Sequence, residues 1–256
     1  MQNSQLPSRA RLALLPQPRL WPLWAVLLTA LTLTLGYVVT SVRGFSPLEL
    51  TVDQQLSRDH DPFLTALALG IDVVLSPPGI IIILGVLFLF LLVVRRSPVN
   101  AIAVAAVAGI GWLSSQAFKL AVVRPRIDSS LLTDPLVSEH GHDSFPSGHM
   151  SFAVALAVAL YLLARGTRWA KLVAIIGVIF ALVVGLSRVY LGAHYPTDVL
   201  GACLGSLAAI LLFIGLWNRY GLRVLGSIRV LNRIGPVPST PVTAPRERSY
   251  APRHAE

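Results

Sequence analysis

Long apolar runs dominate the hydrophobic pattern of this chain. Residues 21–42, 79–94, 101–123, 151–164, 172–191 and 199–217 are nearly free of charge, and most approach or exceed the roughly 20 apolar residues an α-helix needs to cross about 30 Å of hydrocarbon. Backbone polar groups find no water inside a bilayer, so only helices and closed barrels span it, and runs such as 80–94 lack a barrel strand's alternation. The pattern predicts an all-α fold: a polytopic membrane bundle with six transmembrane helices. Trp21, Trp24, Trp169 and Trp217 fall at span edges, where aromatic belts form. Residues 62–76 are also apolar, but the stretch is short, carries Asp72 and runs into Pro77-Pro78. It predicts an in-plane or re-entrant helix and not a seventh crossing.

Composition agrees, with 54% hydrophobic and 13% charged residues, outside the range of ordinary soluble domains. A net charge of +9 would suggest nucleic acid in a soluble protein, yet here its placement speaks for topology and against a nucleic-acid partner. Six spans put fifteen Lys and Arg on one side: Arg9, Arg11, Arg19, Arg95, Arg96, Arg165, Arg168, Lys171 and seven arginines after Trp217. The other side holds six, namely Arg43, Arg58, Lys119, Arg124, Arg126 and Arg188. Cytoplasmic segments carry the excess, so both termini are expected in the cytoplasm. The first run is too long for a signal-peptide core and lacks a small-residue cleavage site, which predicts an uncleaved span. The expected organisation is a cytoplasmic segment 1–20, a six-span domain 21–217 and a basic cytoplasmic tail 218–256, rich in Pro, Arg, Ser and Thr and disordered at its end. Cys203 is the single cysteine and can form no intrachain disulfide. Gly201 and Gly205 make a small-xxx-small pattern suited to tight packing within the bundle. No obligate protein partner is readable.

The candidate chemistry lies in four segments that this topology brings to the outer side, at the ends of different spans. They are Lys119 to Arg126, Phe145-Pro146-Ser147-Gly148-His149, Ser187-Arg188, and His194 to Asp198. Each has an ordinary explanation taken singly: a snorkelling lysine, loop charges, a helix cap, a structural histidine, a helix-start acid. Arg188 fits such an explanation least, because it closes an apolar span where charge is costly and tends to be functional. A Ser-Gly pair at a helix start offers backbone N–H groups and a hydroxyl to an anion. Lys119 and Arg126 are two helical turns apart, although Pro125 predicts a break between them.

Together, Lys119-x6-Arg126, Pro146-Ser147-Gly148-His149 and Ser187-Arg188-x5-His194-x3-Asp198 resemble the three-part signature of the type 2 phosphatidic acid phosphatase (PAP2) superfamily, in its membrane-bound lipid phosphatase branch. One departure is Ile127, which stands where the family usually has proline. The resemblance implies a hydrolase acting on phosphatidic acid, phosphatidylglycerol phosphate or a polyprenyl pyrophosphate, in a bacterial plasma membrane and at its extracytoplasmic face. It implies a catalytic set of His194 as nucleophile, Asp198 as its orienting carboxylate and His149 as proton donor. Lys119, Arg126, Ser147, Gly148 and Arg188 would bind phosphate, with neither metal nor cofactor. Asp128, Asp134, Glu139 and Asp143 read as solvated loop charge or substrate-gating groups. The signature is shared with vanadate-dependent haloperoxidases, and a non-catalytic lipid-phosphate binder or transporter is a third reading. The spans disfavour the first of these and the intact histidines the second.

Overall fold

The computed structural model describes residues 8–238. Among them the elements run α1 (Trp21–Ser41), α2 (Phe45–Leu56), α3 (Pro62–Val74), α4 (Pro77–Leu89), α5 (Pro98–Ala121), α6 (Gly148–Ala164), α7 (Ala170–Tyr190), α8 (Pro196–Leu216), α9 (Leu222–Ser227) and α10 (Arg229–Ile234). Proline stands in the first two positions of α1, α3, α4, α5 and α8, where its missing N–H would have had no helical partner. One-turn π-helices, Phe90–Val94 and Trp217–Gly221, continue α4 and α8. The last apolar stretch therefore does not stop at Trp217 but runs on to Ser227. The end of the basic tail, beyond residue 238, lies outside the described residues.

Five stretches are long and apolar enough to cross a membrane: Trp21–Ser41, Pro77–Val94, Pro98–Ala121, Ala170–Tyr190 and Pro196–Ser227. The expected fourth span is α6, and at 17 residues it is shorter than all of these. By length alone the structure gives five crossings where six were expected. Even so, α6 reaches both ends of the bundle. At its start the Ser147 N–H donates to Asp198 O at the head of α8 (3.1 Å), and at its end Arg11 Nη1 donates to Leu163 O (3.1 Å). The far end is closed by residues 9–15, where the Leu12 N–H donates to Asn100 Oδ1 (2.9 Å), the Leu15 N–H to Asn218 Oδ1 (2.8 Å) and Trp217 Nε1 to Leu12 O (2.9 Å).

Helices α5, α6 and α8 form the centre, with α1 against α8, α7 against α6 and α4 against α5. Small residues let these backbones approach. A Cβ on Gly111 would lie 2.5 Å from Ala155 Cβ, and one on Gly201 or Gly205 would meet the ring of Phe145 (2.3 Å) or Phe118 (2.7 Å). The Gly201/Gly205 pair is thus consumed by packing inside the molecule. Outward, Ile81, Ile82 and Val86 of α4 and Ile176, Val178 and Leu182 of α7 expose an apolar belt.

At one end sit α2 and α3. The 13-residue α3 is too short to span and packs on α7, its start capped by Asp61 Oδ1 accepting from the Leu64 N–H (2.8 Å). The outer segment before it is also helical. This is α2, whose acids Glu49 and Asp53 are buried.

The Asp53 carboxylate has no hydrogen-bond partner among the described residues. Burial first, then the nearby charges of Glu49 and Asp198, push its pKa up to about 8. An unfolded Asp ionises near 3.8, so folding weakens as pH rises from there toward about 8, by at most about 1.4 kcal/mol per pH unit. Asp53→Asn is therefore expected to raise the thermal midpoint in detergent, and to raise it more at about pH 7.5 than at about pH 5. Equal midpoints for variant and wild type at both pH values would show that Asp53 carries no such penalty.

Candidate active site

The end capped by α2 and α3 is also where the four segments singled out in the sequence meet. Helix α5 stops at Ala121, before the proline, so Lys119 and Arg126 meet through a loop and not along one helix. The loop folds back on itself: Ser144 N–H donates to Arg124 O (3.1 Å) and Arg126 N–H to Gly141 O (3.0 Å). Ser147 then caps α6, and its buried Oγ has no partner among the described residues. After α7 the chain turns at Gly192, at φ 65°, where a Cβ would come 2.5 Å from Leu132 Cδ1. That tight turn lets both Ala193 and His194 donate their N–H groups to Arg188 O (3.1 and 3.3 Å).

A cavity of about 460 Å³ lies at this end. Lys119, Arg126, Gly148, His149 and His194 line its polar side together with Gln116, Glu139, His140 and Asp143, and Leu75, Pro77, Ile80 and Trp112 its apolar side. Behind the wall, Asp198 Oδ2 lies 3.3 Å from His194 Nδ1 and accepts from Ser144 Oγ (2.6 Å) and the Tyr195 N–H (3.1 Å). These bonds leave His194 Nε2 for the cavity, provided Nδ1 carries the proton. Burial dominates the imidazole's titration and pulls its pKa down to about 3 despite the Asp198 hydrogen bond, so the ring is neutral near neutral pH.

Three acids lie among the cations. Asp143 binds Arg126 Nε (2.8 Å), Arg126 Nη2 (3.2 Å) and Lys119 Nζ (3.2 Å), and the Arg126 hydrogen bonds hold its carboxyl well below the usual carboxylate range. Glu139 pairs with Arg126 Nη1 and with Arg188 Nη2, the latter at 3.1 Å. Asp72 pairs with Arg188 Nη1. It also faces His149, whose Nε2 lies 3.3 Å from the Asp72 carbonyl oxygen and 3.5 Å from Oδ1. Glu139 and Asp143 are thus not free loop charge but partners of the site's own cations. Asp134 does lie outside it, against His60 Nδ1 (3.0 Å). Asp72 had one sequence signal, an acid inside an apolar run.

The structure therefore brings Lys119, Arg126, Ser147, Gly148, His149, Arg188, His194 and Asp198 to one end of an all-helical membrane bundle. Cations and N–H donors converge there on a cavity with an apolar flank, an arrangement that suits a phosphate group. Residues 97–221, just under half of the chain, match the family model of the PAP2 superfamily. It is 45% identical over 85 residues to phosphatidylglycerophosphatase B of Bacillus subtilis, an alignment covering 31% of this chain and 40% of that protein. Over 110 residues it is 32% identical to undecaprenyl-diphosphatase BcrC of Bacillus subtilis, covering 43% and 54%. The aligned part thus spans about half the length of these relatives or less. A crystal structure of a transmembrane PAP2-type phosphatidylglycerolphosphate phosphatase from Bacillus subtilis superposes with a TM-score of 0.59 at 28% identity, covering 78% of this chain and 96% of that one. The chain is an integral membrane protein.

Proposed function

We propose that this protein hydrolyses the phosphate or diphosphate ester of a membrane lipid through a phosphohistidine at His194. The observation that carries the reading is the buried His194–Asp198 pair facing a cavity walled by Lys119 and Arg126 with their acid partners on one side and by apolar residues on the other. His194 Nε2 attacks phosphorus while the bond to the ester oxygen breaks, and His149 gives that oxygen a proton. Water, deprotonated by His149, then attacks the phosphohistidine, releasing phosphate and restoring His194. Lys119, Arg126, Arg188, Ser147 and the Gly148 N–H stabilise charge on the equatorial oxygens. The relatives' names favour phosphatidylglycerol phosphate or undecaprenyl diphosphate as substrates. Purified protein in detergent is expected to release phosphate from one of these lipids, at an undiminished rate in EDTA because the cations themselves neutralise the developing charge. A loss that magnesium restores would overturn the mechanism.

The same reading makes α6 a sixth crossing and places the cavity at the extracytoplasmic face, with both termini in the cytoplasm. In a Cys203→Ser background, a membrane-impermeant thiol reagent is expected to label His140→Cys and to spare Arg168→Cys in intact cells. The opposite pattern would invert the topology.

A further inference from the structure

In the sequence alone Arg124 is an ordinary loop charge, yet its side chain is only 1% exposed and it is absent from the cavity lining. Its guanidinium joins two carboxylates from distant parts of the chain. Nη1 donates to Asp198 Oδ1 and to Thr197 Oγ1 (2.8 Å), while Nη2 donates to Glu49 Oε2 (2.6 Å) and Ser46 Oγ (3.2 Å). The plane lies over the Tyr195 ring at 4.0 Å, beside His194 in sequence. Glu49 in turn accepts from the Thr197 N–H (2.8 Å) and Thr197 Oγ1 (2.9 Å), so α2 grips the head of α8 from outside.

We propose that Arg124, held by Glu49, is a positioning residue that fixes the Asp198 carboxylate against His194 Nδ1 and balances its buried charge. The proposal rests on the phosphohistidine reading above. A fully buried carboxylate needs a counter-charge and satisfied lone pairs. Asp198 is 0% exposed, and Arg124 makes its only ion pair with an Arg or Lys among the described residues. Oδ1 is taken by Arg124, which turns Oδ2 toward the imidazole. The other charged or titratable groups facing the pair are Lys119 from α5, Arg126 from the loop, His149 from α6, Arg188 from α7, Glu49 and Asp53 from α2, and Tyr195. Of the arginines, only Arg124 touches Asp198, and Glu49 is the acid that competes for it.

The test uses the full chain in detergent and a lipid phosphate that wild type turns over. Arg124→Gln is expected to lower kcat by about 10–100-fold, as for other outer-shell partners, with KM changed less than about twofold. The acid limb of its pH–rate profile is expected to move up by about one unit, since a cation near the pair has been removed. Arg124→Lys should restore most of the limb position, and Glu49→Gln should move it the other way, because a competing negative charge is lost. In an Asp198→Asn background Arg124→Gln should cost nothing further. Spectra of 15N-labelled histidine should show the Nδ1–H form of His194 in wild type and a mixture of tautomers in Arg124→Gln. A raised KM with an unmoved limb would make Arg124 a phosphate ligand, and an equal loss in the Asp198→Asn background would make it merely structural; either overturns the proposal. A wild type inactive on every phosphate ester, with the tautomer change still present, would overturn the phosphatase reading and leave the positioning role standing. An unchanged tautomer in a protein that folds overturns the role itself.

Discussion

His194→Ala is expected to abolish turnover, whereas the defect of His149→Ala should depend on the leaving group. His140 and His149 also line the cavity, but among the described residues only the His194 ring is held by Asp198, so in the proposed mechanism the intermediate does not form without it. In that mechanism His149 supplies a proton, and general acid catalysis is worth roughly 10²–10⁴-fold. An aliphatic alkoxide leaves poorly without that proton, while p-nitrophenolate leaves well. The His149→Ala loss should therefore approach the full factor on an aliphatic lipid phosphomonoester and shrink several-fold or more on p-nitrophenyl phosphate. Rates for both variants on both substrates, with trapping of an acid-labile phosphoenzyme from wild type, decide the matter. Equal His149→Ala defects on the two substrates, or a phosphoenzyme persisting in His194→Ala, would show that the roles are wrongly assigned.

The second large effect is expected at Arg188. Its side chain is 0% exposed, with one Nη on Asp72 and the other on Glu139. In the proposed mechanism a transferred phosphoryl group takes the place of these acids on the guanidinium. Removing a preorganised donor costs about 10²–10³-fold in rate, and Arg188→Gln also leaves Asp72 without its arginine partner, while Glu139 keeps Arg126. A loss of kcat/KM of at least about 10³-fold is expected for Arg188→Gln. Arg188→Lys should recover only part, because a point charge does not reproduce the planar fork. If repulsion contributes, adding Asp72→Asn to Arg188→Gln should restore activity several-fold. A double variant no better than Arg188→Gln would confine the effect to the lost donor.

Most of the bundle was legible because a span is a local property of sequence. The run beginning at Trp21 is α1, and the run around residues 172–191 is α7 within two residues at either end. The count differs in one place: α6, expected as the fourth span, is too short to qualify by length, although its contacts reach both ends of the bundle. Helix α2 was illegible because its acids sit among apolar residues without a long run, and Glu49 looks like any outer loop charge until Arg124 is beside it. The same holds for Glu139 and Asp143. Glu49, Glu139 and Asp143 find their arginine partners 13 to 75 residues away in the chain, and no local pattern encodes such pairings. The signature residues were legible because their spacing, not their surroundings, carries the information.

The shortness of α6 bears on how a lipid reaches the cavity. Seventeen residues rise only about 26 Å, against about 30 Å of hydrocarbon. In the proposed orientation Ser147, Gly148 and His149 therefore sit at or slightly below the level of the lipid phosphates, beside the apolar flank of Leu75, Pro77 and Ile80. A substrate can slide its head group in horizontally while its chains stay in oil. Lifting them into water would cost about 0.8 kcal/mol per methylene, a barrier that grows with chain length and would exclude long-chain lipids first. A site sunk to head-group depth removes that dependence, so the length of the tail need not limit the rate.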